Sequence, residues 1–350
     1  MKRAVWIDIL TPKQALFFWP LIERLRRRGP ILVTSRRYEQ VSWALRLLDL
    51  GALVVGRFGG EGLEEKLFAS TERQRLLARL VARERPGVAL SSGSIEAARI
   101  CFGLQVPHLL ASDTPHSPVN KLCVPLSSLI LTPSYIGLAE WRRWGDVGGM
   151  VVGYRALDPI AWIRRADELE RRAGVKPPED DYALVRVPEY KASYISGRGL
   201  EESVSVVKAV QKFFERVIVL CRYRGEAEIL VKKLGRGVRL VRTPVLALPY
   251  IRGASLIFSG GGTIAQEAAL IGKPVILFYP GETPAVHRFL ARKGLLKVVK
   301  PGEIRELQGL VEKMSSERVR AKLVDRARKA VQAMEDPIPV IESRLLSFLD

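Results

Sequence analysis

Short apolar runs alternate along the chain with segments whose apolar residues recur every three or four positions. Runs of four to six apolar residues suit strands covered on both faces, and the wider spacing suits amphipathic helices. The pattern therefore predicts parallel-sheet α/β domains. Ala4–Ile9 reads as the first strand. Gln14–Arg28 reads as a helix carrying Leu16, Trp19, Leu21, Ile22 and Leu25, closed by Gly29. Further strands fall at Ile31–Thr34, Ala52–Gly56, Val88–Ser91, Pro107–Ala111 and Leu129–Thr132. Helices at Tyr38–Leu48, Glu64–Arg83 and Ser94–Phe102 separate them. Together these elements predict a first β/α domain over residues 1–150.

Residues 151–181 read as a linker, with Gly153, an Arg-rich helix and Lys176-Pro177-Pro178. The rhythm then restarts. Strands at Tyr182–Val187, Val217–Cys221, Val238–Val241, Ser255–Ser259 and Pro274–Phe278 alternate with helices at Glu201–Phe214, Glu226–Leu234 and Ile264–Ile271. A second domain is expected over residues 182–335, followed by a terminal segment, 336–350, holding an amphipathic helix at Ile338–Leu349. The length of 350 residues fits two such domains. The most apolar stretch, Ala254–Tyr279, is broken by Gly260-Gly261-Gly262 and carries Glu267 and Lys273, so no transmembrane helix is predicted. Asp8 interrupts the first apolar run where a signal peptide needs continuity, and a cytoplasmic location is expected.

Composition changes the picture through charge. Hydrophobic residues at 47% and charged residues at 27% exclude a disordered chain. Against 37 acidic side chains stand 56 basic ones, 39 of them Arg, for a net charge of +19. Such a balance points to a polyanionic partner: nucleic acid, an anionic membrane surface or a phosphorylated substrate. The excess is even, +8 over residues 1–150 and +11 over 151–350, with no basic tail. Much of it falls in helical ion-pair patterns at Ala161–Arg172 and Ser315–Lys329. High Arg with few Cys and Met also accompanies thermophily. Three scattered cysteines (Cys101, Cys123, Cys221) and three histidines (His108, His116, His287) form no CxxC or HExxH, so neither structural zinc nor a disulfide framework is expected.

The strongest local signal is Ser255–Ala269, where an apolar strand runs through Gly260-Gly261-Gly262 into Thr263 and a helix. Glycines let a ligand approach the backbone, and free N–H groups at a helix start bind phosphate. Glu267, one turn in, is placed to accept hydrogen bonds from a ribose diol. The alternative is a tight strand-to-helix turn in which Glu267 only complements the helix dipole. The segment is neither a Walker loop nor a GxGxxG fingerprint.

The run Ser259–Gly281, SGGGTIAQEAALIGKPVILFYPG, resembles the nucleotide-sugar segment of glycosyltransferases with two Rossmann domains, the GT-B type. It is similar both to MurG-like transferases and to non-hydrolysing UDP-N-acetylglucosamine 2-epimerases. The chain as a whole resembles a largely archaeal family, domain of unknown function 354. That likeness is carried by VWIDILTPKQALFFWPLI (5–22), SDTPHSPVNKL (112–122), GYRALDP (153–159) and VRVPEYKASY (185–194). It implies an α/β fold of two Rossmann-like β/α/β domains facing a cleft, with the C-terminal helix crossing back to the first. It further implies that Gly260, Gly261, Gly262 and Thr263 hold a diphosphate and that Glu267 holds the ribose. Arg186 and Arg222, at strand ends, are candidate diphosphate ligands because a guanidinium forks onto phosphate oxygens. The nucleotide-diphospho-sugar, UDP-linked, is then a substrate, and no cofactor is expected. No DxD motif occurs, so metal is not expected either.

Candidate chemistry lies on loops of the first domain. Thr11, Lys13 and Gln14 follow the first strand, where many relatives carry a histidine. Asp113 and His116 follow a later strand, with Asn120 and Lys121 close in sequence, and a His beside a carboxylate is a sound base for an acceptor hydroxyl. The alternative is that both residues only order a Pro-rich loop. Ser92 and Ser94 resemble the epimerase loop that carries a catalytic aspartate, which this chain lacks. Trp141-Arg142-Arg143-Trp144 and Phe17-Phe18-Trp19 mix rings with cations as membrane-interface segments do, and a lipid-linked acceptor would use both, but the favoured alternative is aromatic packing into the core beside a solvated Arg pair. The function expected is metal-free transfer of a sugar to an acceptor. An epimerase or hydrolase on the same site, or a non-catalytic polyanion binder, remains open, although no RNA- or DNA-binding signature favours nucleic acid.

Overall fold

Seven apolar runs of the first half pair as one parallel sheet: β1 (Val5–Ile9), β2 (Ile31–Arg37), β3 (Leu53–Arg57), β4 (Val88–Ser91), β5 (His108–Ala111), β6 (Leu129–Pro133) and β7 (Val151–Tyr154). Their spatial order is β3-β2-β1-β4-β5-β6-β7. The computed structural model describes residues 3–60, 62–176, 181–187, 199–221, 224–234, 237–278, 281–300 and 307–349. Helices α1 (Pro12–Arg26), α2 (Glu39–Leu47), α3 (Leu63–Glu84), α4 (Ile95–Leu104), α5 (Asn120–Cys123), α6 (Leu138–Arg142) and α7 (Ile160–Ile163) connect these strands or follow the last. Every residue of β1 and β4 is buried, which is why neither alternates apolar with polar positions, and the polar residues they carry, Asp8 and Ser91, are buried as well.

The second half repeats the plan. Its strands are β8 (Ala183–Arg186), β9 (Val217–Leu220), β10 (Val238–Val241), β11 (Leu256–Ser259), β12 (Val275–Phe278) and β13 (Lys297–Val299), in the order β10-β9-β8-β11-β12-β13. Helices α8 (Ala166–Ala173), α9 (Gly199–Val210), α10 (Arg224–Lys233), α11 (Ala247–Gly253), α12 (Gly262–Leu270), α13 (Ala285–Arg292), α14 (Leu307–Ser315) and α15 (Glu317–Gln332) accompany them, and α16 (Pro337–Leu346) ends the series. The chain divides into two units, Met1–Arg165 with Met334–Asp350, and Ala166–Ala333. Helix α16 thus returns to the first unit, where it packs on α1 and α7 with Ile338, Ile341 and Leu345 buried. Its Glu342 receives Arg24 at 2.6 Å and Arg28 at 2.7 Å.

Two expectations change, and one alternative is decided. Val151–Tyr154, assigned to a linker from its glycines, is the seventh strand of the first sheet. Gly153 marks a close approach there, since a Cβ would stand 2.9 Å from Ser134 Cβ. Strand β2 runs three residues beyond Thr34, so Arg36 and Arg37 lie on or end a strand. Phe17, Phe18, Trp19 and Trp141 are core residues, which decides for aromatic packing over a membrane-interface role for these rings. Among the described residues no helix is long and apolar enough to cross a membrane. The helical ion pairs are present: Glu168 with Arg172 at 2.7 Å, and Asp325 with Arg328 at 2.9 Å and Lys329 at 2.7 Å.

In both units the strand order reverses between the first strand and the fourth, β1/β4 and β8/β11. Loops leaving such a pair diverge to opposite faces and open a crevice at the carboxyl edge, the usual ligand position in open α/β sheets. Register sets Asp8 opposite Ser91 in one crevice and Arg186 opposite Ser259 in the other.

Candidate functional site

In the second unit the buried strand β11 turns through Gly260 and Gly261 directly into α12. Gly260 N donates to Arg186 O at 2.8 Å. Ser259 Oγ donates to Gly261 O at 2.7 Å and accepts from Gly261 N at 3.2 Å. These bonds fix the turn against β8. Gly261 is the N-cap in extended backbone and offers no capping side chain. The N–H groups of the first turn therefore have no acceptor from the helix itself, and they add to the positive end of its dipole. Thr263 is half-buried in that turn, and Glu267 and Gln266 are buried one turn further on. On α13, buried His287 presses on the turn: its Nε2 lies 3.0 Å from Gly262 O, and a Cβ on Gly262 would stand 3.0 Å from its Cε1.

Arg186 adds a cation to the same crevice. Its Nη1 donates to Leu220 O and Cys221 O, both at 3.1 Å, which anchors the guanidinium at the end of β9. The second arginine expected there, Arg222, lies outside the described residues. Amide dipoles and a fixed guanidinium make this crevice suited to an anion with several oxygens.

The first unit fills its crevice from within. Thr11 Oγ1 accepts from Gln14 N at 3.4 Å and caps α1. Gln14 Oε1 accepts from Leu10 N at 2.6 Å, and its Nε2 donates to Ser92 O at 2.7 Å, so one side chain ties the loop after β1 to the loop after β4. Ser94, fully buried, caps α4 by accepting from Ala97 N at 3.2 Å and donates to Glu96 Oε2 at 3.3 Å. Asp8 binds Arg73 through two contacts, at 2.6 and 3.1 Å, and accepts from Thr34 Oγ1 at 2.6 Å. Burial opposes the Asp8 charge, but Arg73 outweighs it and holds the carboxyl below its ordinary pKa.

A second network lies at the ends of β1, β5 and β7. Lys13 Nζ stands 2.5 Å from Asp113 and 2.9 Å from Asp158, and Tyr154 Oη donates to Asp158 at 2.6 Å. Burial disfavours the ammonium, yet the two carboxylates win and raise its pKa above the usual value. Lys13 therefore stays charged and is a counter-ion, not a base. Burial, then the charge of Asp113, push the Asp158 carboxyl up to about 6 against the pull of Lys13 and Tyr154. Asp113 also accepts from Thr114 Oγ1 at 2.8 Å. Asn120 Nδ2 donates to Thr114 O at 2.9 Å and Pro115 O at 3.1 Å, which orders the loop carrying half-buried His116. Lys121 is exposed and belongs to neither network. His108 spans Ser91 and Ser127 at 2.9 Å each, and burial drives its pKa down to about 4, so it stays neutral as a structural bridge. Among the described residues no group of three or more His, Cys, Asp or Glu is placed to hold a metal ion.

Residues 3–350 match the family described as a protein of unknown function, DUF354. The chain belongs to the DUF354 family. An uncharacterized protein of Methanocaldococcus jannaschii is 24% identical to this DUF354 chain over 364 residues, 99% of this chain and 98% of that protein. Among solved structures, a protein of Listeria monocytogenes assigned as a UDP-N-acetylglucosamine 2-epimerase superposes with a TM-score of 0.74 at 14% identity, covering all of this chain and 96% of that one. The UDP-GlcNAc 2-epimerase of M. jannaschii, in complex with UDP-GlcNAc and UDP, superposes at 0.69 and 15% identity, covering 90% and 94%. The spinosyn rhamnosyltransferase SpnG, complexed with thymidine diphosphate, superposes at 0.65 and 14% identity, covering 98% and 99%. The DUF354 chain has the fold of these proteins, two Rossmann-like units of the GT-B class.

The structure also brings in residues that sequence reasoning left unassigned. Arg73 occupies the apolar stripe Ala69, Leu77 and Val81 of α3, and an arginine at that spacing was the available signal for the buried partner of Asp8. Asp158 and Tyr154 stand within GYRALDP, a segment noted for likeness and not for chemistry. His287 carried no local signal, because its contact with Gly262 spans 25 residues.

Proposed function

We propose that this DUF354 protein binds a nucleotide-diphospho-sugar, UDP-linked, in the crevice of its second unit and transfers the sugar to an acceptor served by the first unit. The observation that carries the proposal is the uncapped glycine start of α12 beside Arg186, with buried Glu267 one turn on. Helix N–H groups and the guanidinium would take the diphosphate, and Glu267 the ribose diol. The same donors would stabilise the departing diphosphate in place of a metal. The nucleoside diphosphates and UDP-sugar bound by GT-B structures of the same fold support a ligand of this class.

On the acceptor side, half-buried His116 would take the proton of the acceptor hydroxyl, with the carboxylate of Asp113 on the same loop. The oxygen then bonds to the anomeric carbon as the bond from that carbon to the diphosphate oxygen breaks. Ser94 favours transfer over epimerisation: it stands where the epimerase loop carries an aspartate, and it is spent as a helix cap. Epimerisation is the second reading, favoured by the likeness to 2-epimerases.

Thermal melts with UDP, dTDP and UDP-sugars test the ligand. A ligand at about a hundred times its dissociation constant adds about 2.7 kcal/mol, a rise of several degrees. Glu267→Ala should erase that rise. If no nucleotide sugar shifts the melt, both readings fall. Sugar turnover by NMR in the absence of any acceptor would replace transfer with epimerisation.

A further inference from the structure

Charge compensation in the first unit is uneven. Arg24, Arg28, Arg73 and Arg75 each meet a carboxylate at 2.6 to 2.8 Å. Arg36, Arg37 and Arg57 do not: among the described residues no carboxylate lies within 4.0 Å of any of the three. All three stand at the carboxyl ends of neighbouring strands. Arg36 and Arg37 close β2, Arg57 closes β3, and Arg37 is the register partner of Arg57. Like charges set opposite each other on paired strands are unfavourable unless something neutralises them.

Arg36 is half-buried, and its Nε is sealed from solvent without a hydrogen-bond acceptor. The carboxylates that face it, Glu96 and Asp8, are already engaged by Arg73 at 3.7 and 2.6 Å, and Arg73 itself repels it. Burial accordingly depresses its pKa. The guanidinium is nevertheless held in place. The Phe58 ring lies 4.9 Å from its central carbon, Phe58 N donates to Arg37 O at 3.0 Å, and Tyr38 stacks on Phe58 at 4.9 Å. Gly59 lets this loop close on α3, since a Cβ there would come within 2.5 Å of Lys66 Cα. A guanidinium half-withdrawn from water and pre-oriented, with no acceptor among the described residues, calls for an acceptor from outside the chain.

We propose that Arg36, with Arg37 and Arg57, forms a phosphate-binding subsite in the first unit, and that the acceptor of the transfer reaction is a phosphate ester. The word acceptor rests on the transferase reading; the subsite does not. A guanidinium forks onto two phosphate oxygens, and a phosphate monoester carries about −1.5 to −2 charges at neutral pH, enough to engage more than one arginine. Ser35 pairs in register with Ile9, so Arg36 is level with the start of the short connection into α1, whose first turn carries Lys13 and Gln14. The subsite therefore borders the elements that position Asp113.

The test uses the intact chain with two probes, glycerol 3-phosphate in solution calorimetry and phosphatidylcholine vesicles carrying phosphatidic acid in cosedimentation. At least one probe should bind, and Arg36→Gln should weaken it about tenfold or more, with Arg36→Lys not restoring the fork. The exposed pair Arg37→Gln/Arg57→Gln should weaken it less, and it carries the test if Arg36→Gln fails to fold. Arg36-dependent binding of glycerol 3-phosphate identifies a free phosphate ester, and Arg36-dependent binding of vesicles alone identifies a lipid headgroup. UDP melts run on the same variants should match the wild type. If UDP binds no form of the protein, the donor reading falls while the phosphate result stands. Equal binding of both probes by wild type and Arg36→Gln overturns the subsite, as does tighter Arg36-dependent binding of a short single-stranded RNA.

Discussion

The two crevices have the same topology and opposite chemistry. Counted from its own first strand, the first unit runs its strands in the order 3-2-1-4-5-6-7 and the second in the order 3-2-1-4-5-6, and each reverses at the first and fourth. At that pair the first unit sets Asp8 against Ser91, and the second sets Arg186 against Ser259. The acid is neutralised by an arginine that is itself wholly buried. The base is anchored on backbone carbonyls beside a glycine turn. In the first unit Gln14 and Ser94 consume the loop and helix-start donors, whereas in the second the helix start has no side-chain cap. Topology makes a crevice; the residues at two strand ends decide whether it is filled and which charge it accepts.

The comparison breaks first at Gly262. A valine there sets its Cβ 3.0 Å from the His287 ring and adds bulk at the helix start proposed to hold the diphosphate, so the stabilisation by UDP should vanish altogether. The unliganded melt should fall by only about 1–3 kcal/mol. Gly262→Ala should lie between. An unchanged UDP response in Gly262→Val would place the nucleotide elsewhere.

Next comes Arg73→Leu, which strands Asp8 as a buried charge. Removing one partner of a buried pair costs about 3–5 kcal/mol, and the loss should appear in the first unit's unfolding while the UDP response persists. Asp8→Asn/Arg73→Leu should recover much of that loss, since the uncompensated carboxylate is gone. A double variant as unstable as the single one would show that packing, not charge, holds α3 to the sheet.

Protonation separates two buried groups of the first unit. His108 stays neutral in the folded state down to about pH 4 but takes a proton below about 6.5 once unfolded, so its contribution favours unfolding as pH falls through that window. Asp158 holds its proton up to about pH 6 in the folded state but only to 3.8 when unfolded, so its contribution favours folding over nearly the same fall. Each amounts to on the order of 3 kcal/mol, with opposite sign. Relative to wild type, Asp158→Asn should therefore lose stability between pH 6 and 4, and His108→Gln should gain it. Urea midpoints measured across that range read the difference directly, and parallel curves for all three proteins would remove both assignments.

Strand runs, both sheets' helical alternation and the glycine turn were legible because each is local: apolar runs, a 3.6-residue period, three glycines between a strand and a helix. What stayed hidden was pairing across distance. Lys13 meets Asp113 over 100 residues and Asp158 over 145, and neither spacing has a sequence signature. The loop carrying Asp113 and His116 was legible as a His beside a carboxylate, whereas Lys13, which also holds Asp113, comes from the first turn of α1 and gave no such signal. Gly153 misled for a related reason, since a glycine kept for close packing inside a strand looks the same in sequence as one kept for a turn.

The smallest effect sharpens the comparison most. Gln14→Ala removes both hydrogen bonds that join the loop after β1 to the loop after β4, leaving Leu10 N and Ser92 O to find water. Each net bond is worth about 0.5–1.5 kcal/mol, so the first unit should lose about 2 kcal/mol and melt a few degrees earlier. None of the residues proposed to bind nucleotide is touched, and the UDP response should be unchanged. Gln14→Glu distinguishes a stitch from a polar contact of any kind. The glutamate can still accept from Leu10 N but cannot donate to Ser92 O, and it brings a negative charge near Asp8 and Asp113. It should therefore be less stable than Gln14→Ala above the carboxylate range and approach it only in acid. A glutamate variant as stable as wild type at neutral pH would mean that the loops hold each other without the amide, and that the first crevice is closed by backbone alone.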